Sequence, residues 1–332
     1  MRAARWRIAT WGCVGILLVL LAGCGSAGND TRNQAATGRR ATLTQTVPVP
    51  VSLHVAGRVT LPAPVQLPAV ALAAGRVVAA GGLDAADASV ADVVRVAPGP
   101  PRRIARLPSA VHDAAAVGLG GRVLVFGGGS VSGSSAAIEA LGPSAPVRVI
   151  GVLSAPSSDL AAARVGDAAY IVGGFTGSSP LRSILRFQPG TPVRQVATLP
   201  HPLRYAAVAA LGRELLIAGG TDGVHARREV LRYDPASGRL RLLARLARPV
   251  AHAAGAALAG TFYVLGGRGD ATTSQRRTIL AIDPSSGRAR RAGQLPRALS
   301  DLGAVTAGAR IWVVGGRDAA GTVQDRAWEL GR

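Results

Sequence analysis

Short apolar runs, each closed by a pair of glycines, recur along most of the chain. The runs read RVVAA, RVLVF, AAYIV, ELLIA, TFYVL and RIWVV, and their glycine doublets end at Gly82, Gly128, Gly174, Gly220, Gly267 and Gly316. Successive doublets are 46, 46, 46, 47 and 49 residues apart. The runs lack polar alternation, which is typical of strands covered on both faces. A fixed period of this length predicts a propeller or a solenoid.

Each repeat has room for four strands. The first strand is rich in Ala, Gly and Val, and its copies are Ala114–Val117, Leu160–Val165, Ala206–Leu211 and Ala253–Leu258. The apolar run is the second strand, and the third ends at a turn such as Asp234–Gly238, whose Asp, Pro and Gly favour chain reversal. The fourth ends at a leucine, which is Leu107, Leu153, Leu199, Leu246 or Leu295.

The two ends of the chain together supply one complete repeat. The last repeat stops at Trp328–Leu330, after a third strand, while Leu61 lies 46 residues before Leu107 and in phase with the fourth-strand leucines. We therefore predict an all-β, six-bladed propeller over residues 47–332, with four antiparallel strands per blade. The N-terminal segment 51–62 is predicted to close the sixth blade as its outer strand, which would remove exposed strand edges.

The doublets, the Tyr233-Asp-Pro235 type of turn and the period resemble the kelch repeat, and the resemblance covers residues 51–330. It implies a kelch-type propeller, similar in fold to that of galactose oxidase. In kelch-like propellers the channel mouth and the loops around it usually bind the ligand or partner, so we expect the same face to bind here. The chain departs from the family in the fourth strand, where tryptophan is replaced by Ile104, Val149, Val196 and Leu242. We expect looser packing between blades as a result.

The first 46 residues indicate export and anchoring. Three arginines precede an apolar segment, Ile8–Leu21, and Leu21-Ala-Gly-Cys24 resembles the lipobox of bacterial lipoproteins. The resemblance implies a signal peptide at residues 1–23, cleavage before Cys24 and lipidation of that cysteine. Residues 24–46 are polar and are interpreted as a flexible tether. We expect an extracytoplasmic protein held at a bacterial membrane through Cys24.

Composition argues against several kinds of chemistry. All 38 basic residues are arginine and the formal net charge is +20, but arginine without lysine is interpreted as genomic base composition. Aromatic residues make up only 4% of the chain, which disfavours base stacking, so we expect no nucleic-acid partner. Cys13 and Cys24 are the only cysteines, and the five histidines show no i,i+4 pairing. We assign no metal, cofactor or catalytic residue, and we expect a monomer.

Polar residues occur at a fixed offset from the fourth-strand leucines. The sixth residue after each is Leu67, Asp113, Asp159, Tyr205, His252 or Asp301. With two neighbours, the candidate ligand-binding residues are His112, Asp113, Asp159, Arg204, Tyr205, His252 and Asp301. The kelch resemblance implies that they surround the channel mouth, where they could form a polar pocket. They could instead satisfy backbone groups at the strand starts, and the sequence leaves both interpretations open.

The leading functional hypothesis is a non-catalytic binding module for an envelope glycan or a protein partner, acting through the channel-mouth face. One alternative follows from the kelch resemblance, namely a sugar-ring isomerase similar to sialic-acid mutarotase, with carboxylates and arginine at the mouth. Another is electrostatic binding of anionic envelope polymers through surface arginines, including Arg102, Arg103, Arg290 and Arg291.

Overall fold

The computed structural model describes residues 52–142 and 146–332, and these residues form strands, turns and loops without a helix. Pro48–Arg332 forms one compact unit. The predicted signal peptide, the tether and Cys24 lie outside the described residues. Within the described ranges, no helix has the length and apolar character needed to span a membrane.

The described residues contain 26 strands, most of them five residues long. In chain order they are β1 (His54–Thr60), β2 (Ala69–Ala73), β3 (Arg76–Ala80), β4 (Asp92–Ala97), β5 (Arg102–Arg106), β6 (Ala115–Leu119), β7 (Arg122–Phe126), β8 (Gly129–Ser130), β9 (Gly133–Ser134), β10 (Ala137–Leu141), β11 (Arg148–Val152), β12 (Ala161–Val165), β13 (Ala168–Val172), β14 (Ser183–Phe187), β15 (Arg194–Thr198), β16 (Ala207–Leu211), β17 (Glu214–Ala218), β18 (Glu229–Asp234), β19 (Arg239–Arg245), β20 (Ala254–Leu258), β21 (Thr261–Leu265), β22 (Arg276–Ile282), β23 (Ala289–Leu299), β24 (Gly303–Ala307), β25 (Arg310–Val314) and β26 (Arg326–Gly331).

Six four-stranded antiparallel sheets form the blades of a propeller. Blade 1 is β2–β5, blade 2 is β6, β7, β10 and β11, blade 3 is β12–β15, blade 4 is β16–β19, blade 5 is β20–β23, and blade 6 is β24–β26 with β1. The first strands contact one another in a closed circle, from β2 through β6, β12, β16 and β20 to β24 and back to β2. The predicted six-bladed fold, with four antiparallel strands in each blade, is therefore confirmed.

The N-terminal strand closes the sixth blade, as the phase of Leu61 predicts. β1 pairs with β26 in antiparallel register from His54 opposite Gly331 to Thr60 opposite Arg326. The strand is anchored at both ends, because Leu53 and Leu61 are buried while the residues between them are largely exposed. The amide of Leu53 also donates to the carbonyl of Ala292 in blade 5, at 2.6 Å. Strand β1, which we call the N-terminal clasp, thus completes blade 6 and also contacts blade 5.

Strand boundaries follow the sequence prediction with small differences. The first strands begin one residue later than predicted in the four repeats considered. The fourth strand of blade 5 continues past the predicted end at Leu295 to Leu299, where it pairs with Arg276 beyond a bulge. Both leucines are buried, so the added residues extend the core of this blade.

The glycine doublets allow the second strand to turn against the next connection. Gly81 has a φ of +63°, and a Cβ there would lie 2.4 Å from the carbonyl oxygen of Val111. Gly82 has a φ of +114°, and its Cβ would lie 2.6 Å from the carbonyl oxygen of Gln66. A side chain would be excluded at both positions by backbone conformation and by space. The doublets therefore set the close approach of strand ends at the channel mouth.

Candidate binding site at the channel mouth

One residue per blade adopts the left-handed conformation just before the innermost strand. They are the residues that lie six positions after the fourth-strand leucines, and we call them the column. Their φ values run from 52° to 59°, and they are Leu67, Asp113, Asp159, Tyr205, His252 and Asp301. Aspartate tolerates this conformation because its short side chain can hydrogen-bond locally, whereas Leu, Tyr and His rarely adopt it. A shared backbone requirement therefore accounts for the position of the column, but not for its residue types.

Backbone hydrogen bonds link the column into a circle. In five of the six steps, the amide of one column residue donates to the carbonyl of the column residue in the preceding blade. These pairs are Leu67 to Asp301 (2.7 Å), Asp113 to Leu67 (3.3 Å), Tyr205 to Asp159 (3.2 Å), His252 to Tyr205 (3.1 Å) and Asp301 to His252 (3.0 Å). At the remaining step, the amide of Leu160 donates to the carbonyl of Asp113 at 3.4 Å. The backbone groups are thus satisfied without side chains, which leaves the side chains available for other roles.

The carboxylate of Asp159 is held by an arginine from the next blade. Both Nε and Nη2 of Arg204 contact Asp159 Oδ2, and the buried carboxylate forms an ion pair with this guanidinium. The guanidinium also lies over the ring of Phe175, 4.0 Å from the ring centroid. Stacking and ion pairing together fix Arg204, so this pair is a structural part of the mouth.

Asp113 is buried at the channel mouth and forms no ion pair with an arginine among the described residues. It accepts a hydrogen bond from the hydroxyl of Tyr205 at 3.3 Å. Burial, followed by the nearby charges of Asp159 and Asp301, raises the pKa of Asp113 well above its usual value. Burial and the neighbouring Asp113 likewise raise the pKa of Tyr205. Asp113 is therefore a carboxyl group poised to keep its proton.

His252 lies at the centre of a hydrogen-bonded chain. Its Nδ1 is 2.5 Å from Asp301 Oδ1, and its Nε2 is 2.8 Å from Nη2 of Arg268. Arginine can only donate, so Nε2 accepts and the proton resides on Nδ1, which donates to Asp301. The imidazole stacks on the ring of Tyr205 with a centroid separation of 3.7 Å. His252 therefore bridges Asp301 and Arg268 and packs on Tyr205.

Asp301 differs from Asp113 in its protonation. Burial opposes ionisation of Asp301, but its interactions with His252, the hydrogen bond from Ser300 and the charge of Arg268 lower its pKa below the usual value. The hydroxyl of Ser300 donates to Asp301 Oδ2 at 2.5 Å. The mouth therefore combines one carboxyl group that favours the neutral form with another that favours the anion.

His112 lies beside the column at the edge of blade 2. Its Nδ1 contacts the hydroxyl of Ser89 at 2.8 Å, and its Nε2 is 3.8 Å from Asp113 Oδ2. Burial lowers the pKa of His112, although the negative charge of Asp159 opposes that shift. The structure thus brings all seven candidate residues to one end of the channel, but they are largely occupied with one another.

A cavity of about 490 Å³ opens on the mouth face between blades 5, 6 and 1. Its polar lining comes from Gln66, Asp87, Arg268, Gln275, Asp301, Arg317 and Asp318, with Thr272 and Thr273 on the loop above. Such a volume suits a small ligand. Of the seven candidate residues, only Asp301 lines this cavity.

Arg268 and Arg317 were given no binding role by the sequence analysis. Each follows a glycine doublet and pairs through its backbone with the residue before the column, which is Ala251 or Ser300. Arg268 forms no ion pair within the described residues, while Arg317 Nη1 donates to Asp87 Oδ1 at 3.1 Å. The residue after each glycine doublet therefore also lies on the mouth face. The arginines at this position in blades 5 and 6 were the sequence feature from which a binding role could have been predicted.

Within residues 52–142 and 146–332, no group of three or more His, Cys, Asp or Glu side chains is arranged to hold a metal ion. The acidic side chains at the mouth instead pair with arginine, histidine and hydroxyl groups.

These observations define the class of protein as a six-bladed β-propeller with a polar channel mouth. No family model and no curated protein matches the chain. Among solved structures, the chain is similar to that of YjhT, with a TM-score of 0.67 and 15% sequence identity. The match covers 80% of this chain and 94% of YjhT. At this identity, the likeness supports the fold alone.

Proposed function

We propose that this chain is a non-catalytic binding module whose mouth-face cavity takes an acidic glycan. The observation that carries the proposal is Arg268, whose guanidinium lines the cavity, has no ion-pair partner among the described residues and is held in place by His252. A carboxylate on the ligand could bind the planar guanidinium through two oxygens.

Gln275 provides a second reason to expect a sugar. Its Nε2 donates to the carbonyl of Thr272 at 2.8 Å, while its Oε1 is buried and accepts no hydrogen bond within the described residues. Thr272 and Thr273 add hydroxyl groups to the same lining, which suits a ligand that itself carries hydroxyls. A carboxylate next to hydroxyl groups is the chemistry of an acidic sugar.

The lipobox-like Leu21–Cys24 supports an extracytoplasmic module anchored through lipidated Cys24. An envelope glycan would then be within reach of the mouth face. A protein partner that presents a carboxylate to the same cavity is the other form of this proposal.

The test uses the Pro48–Arg332 unit, which contains every strand of the closed ring. Binding of galacturonic-acid oligomers and N-acetylneuraminic acid is measured by calorimetry, with galactose oligomers as the neutral comparison. We expect Arg268→Gln to weaken binding of the acidic sugars at least about ten-fold, as the loss of a charged hydrogen-bonded pair predicts. Arg194→Gln, a change at the exposed start of β15, is the matched control. Equal affinities for acidic and neutral sugars, or equal effects of the two substitutions, would refute the proposal.

A second candidate function, a sugar-ring isomerase, rests on a separate observation. Asp113 favours the protonated form and Asp301 the ionised form, and both face the same channel mouth. Two carboxyl groups whose pKa values are displaced in opposite directions are suited to act as general acid and general base. The measurement is the rate of exchange between α- and β-anomers by NMR, with the uncatalysed rate in buffer subtracted. In an enzyme, Asp113→Asn would abolish the acceleration above that rate. A binding module shows no turnover in either form.

A further inference from the structure

We propose a second ligand site, in a groove between blades 1 and 2, that binds an amphiphile with one acyl chain and an anionic head. The groove has a volume of about 590 Å³ and is separate from the channel mouth. Its apolar floor includes Val78, Ile104, Val123 and Leu141, and four arginines line it as well.

Two packing positions at this interface are filled by aliphatic side chains. The middle residue of the second strand belongs to the same hydrophobic cluster as a residue at the end of the third strand in the following blade. From the interface of blades 1 and 2 round to that of blades 6 and 1, these pairs are Val78 with Leu141, Leu124 with Phe187, Tyr170 with Tyr233, Leu216 with Ile282, Tyr263 with Leu330, and Trp312 with Ala97.

The pair of Val78 and Leu141 has the smallest combined volume in this series, and Leu141 is only half-buried. At the next interface, Phe187 is fully buried and meets Phe126 edge to face, with ring centroids 5.9 Å apart. Ile104, which stands in place of a fourth-strand tryptophan, borders the opening.

The arginines define the charge of the ligand. Arg103 and Arg106 both pair with Asp92, so part of their charge is compensated. Arg76 and Arg102 are exposed, lie at the starts of β3 and β5 and have no acidic partner within the described residues. Four positive charges facing one carboxylate leave an uncompensated basic rim above an apolar floor. An anionic head on the rim and a hydrocarbon chain on the floor match both parts of the lining.

The test measures binding of dansylaminoundecanoic acid to the Pro48–Arg332 unit in detergent-free buffer. The dansyl emission rises when the probe enters an apolar site. We expect saturable binding that dodecanoate displaces, and weaker binding of the methyl ester of the probe. Arg76→Gln/Arg102→Gln should weaken binding of the acid at least about ten-fold and leave the affinity for the ester unchanged. Arg194→Gln/Arg213→Gln, which removes two exposed arginines elsewhere, should change neither affinity.

A second variant tests the floor of the groove independently of charge. Val78→Leu/Leu141→Phe introduces the residue types of the corresponding pair between blades 2 and 3, Leu124 and Phe187. The larger side chains would occupy part of the apolar floor, so binding of both the acid and the ester should weaken. Full binding to the filled variant would overturn the site, as would equal losses in the two arginine variants. Absence of saturable binding to the parent would overturn the proposal directly, without bearing on the Arg268 cavity.

Discussion

The N-terminal clasp makes the stability of the whole ring depend on one short strand. Removing residues up to Pro62 deletes β1 and leaves β26 as an open edge in blade 6. Burial of the anchors Leu53 and Leu61 contributes about 1.5–3 kcal/mol each, or about 3–6 kcal/mol together, before any backbone hydrogen bond is counted. Native domains are stable by only about 5–15 kcal/mol, so the truncation removes a large share of the total.

We therefore expect a chain that begins at Ala63 to lose cooperative unfolding, while one that begins at Pro48 retains it. The measurement is thermal unfolding followed by calorimetry and circular dichroism. A graded version is Leu61→Ala, whose cost of about 3 kcal/mol corresponds to a fall in melting temperature of about 6–12 °C.

The matched control is Val55→Ala in the same strand, where the side chain is 41% exposed and the expected change is within about 0.5 kcal/mol. The reasoning would be refuted if the chain from Ala63 melted like the chain from Pro48. It would also fail if Leu61→Ala and Val55→Ala had equal effects, because the anchors would then contribute nothing beyond the exposed strand.

Three further predictions concern the mouth and its turns. The folded-state pKa of Asp113 lies above that of the unfolded chain, so the native state retains a proton that the unfolded state releases, and stability falls as pH rises between the two values. The variant Asp113→Asn should not lose stability in this way. Its unfolding free energy should exceed that of the parent by a margin that grows toward neutral pH, by up to about 1.4 kcal/mol per pH unit. Parallel profiles of unfolding free energy against pH would contradict this prediction. Asp301 has a lowered pKa in the folded state, so its contribution to stability is present above the pKa of the unfolded chain and is lost as pH falls. Asp301→Asn should therefore destabilise the protein at pH 7 but much less at acid pH. The measurement is unfolding in urea at both pH values. Gly81→Ala would place a Cβ 2.4 Å from a carbonyl oxygen and should lower the unfolding free energy by about 2–5 kcal/mol. Gly75 has a φ of +71° but open space around it, so Gly75→Ala should lower the unfolding free energy by only about 1–2 kcal/mol. Similar melting temperatures of the two variants would show that the close approach at Gly81 is unimportant.

The sequence was sufficient to predict the architecture because every blade repeats the same local requirements. A buried second strand needs a continuous apolar run, and the turn after it needs two glycines, so the period is visible in the chain itself. The closure of the ring was also predictable, since Leu61 had to be in phase with the other leucines before its strand could complete blade 6. The position of the left-handed column followed from the same phase.

The roles of individual side chains at the mouth were decided by contacts between blades. His252 and Asp301 are one repeat apart, and only the closed ring brings Nδ1 of one to 2.5 Å from Oδ1 of the other and buries Asp113 near Asp301. Arg268 was visible in the sequence, but its hydrogen bond to His252 depends on side-chain direction, which a period does not encode. The groove beside Val78 likewise depends on volumes contributed by two blades. Local periodicity therefore determined the fold, whereas pairing, burial and side-chain direction across the ring determined which polar groups remain available to a ligand.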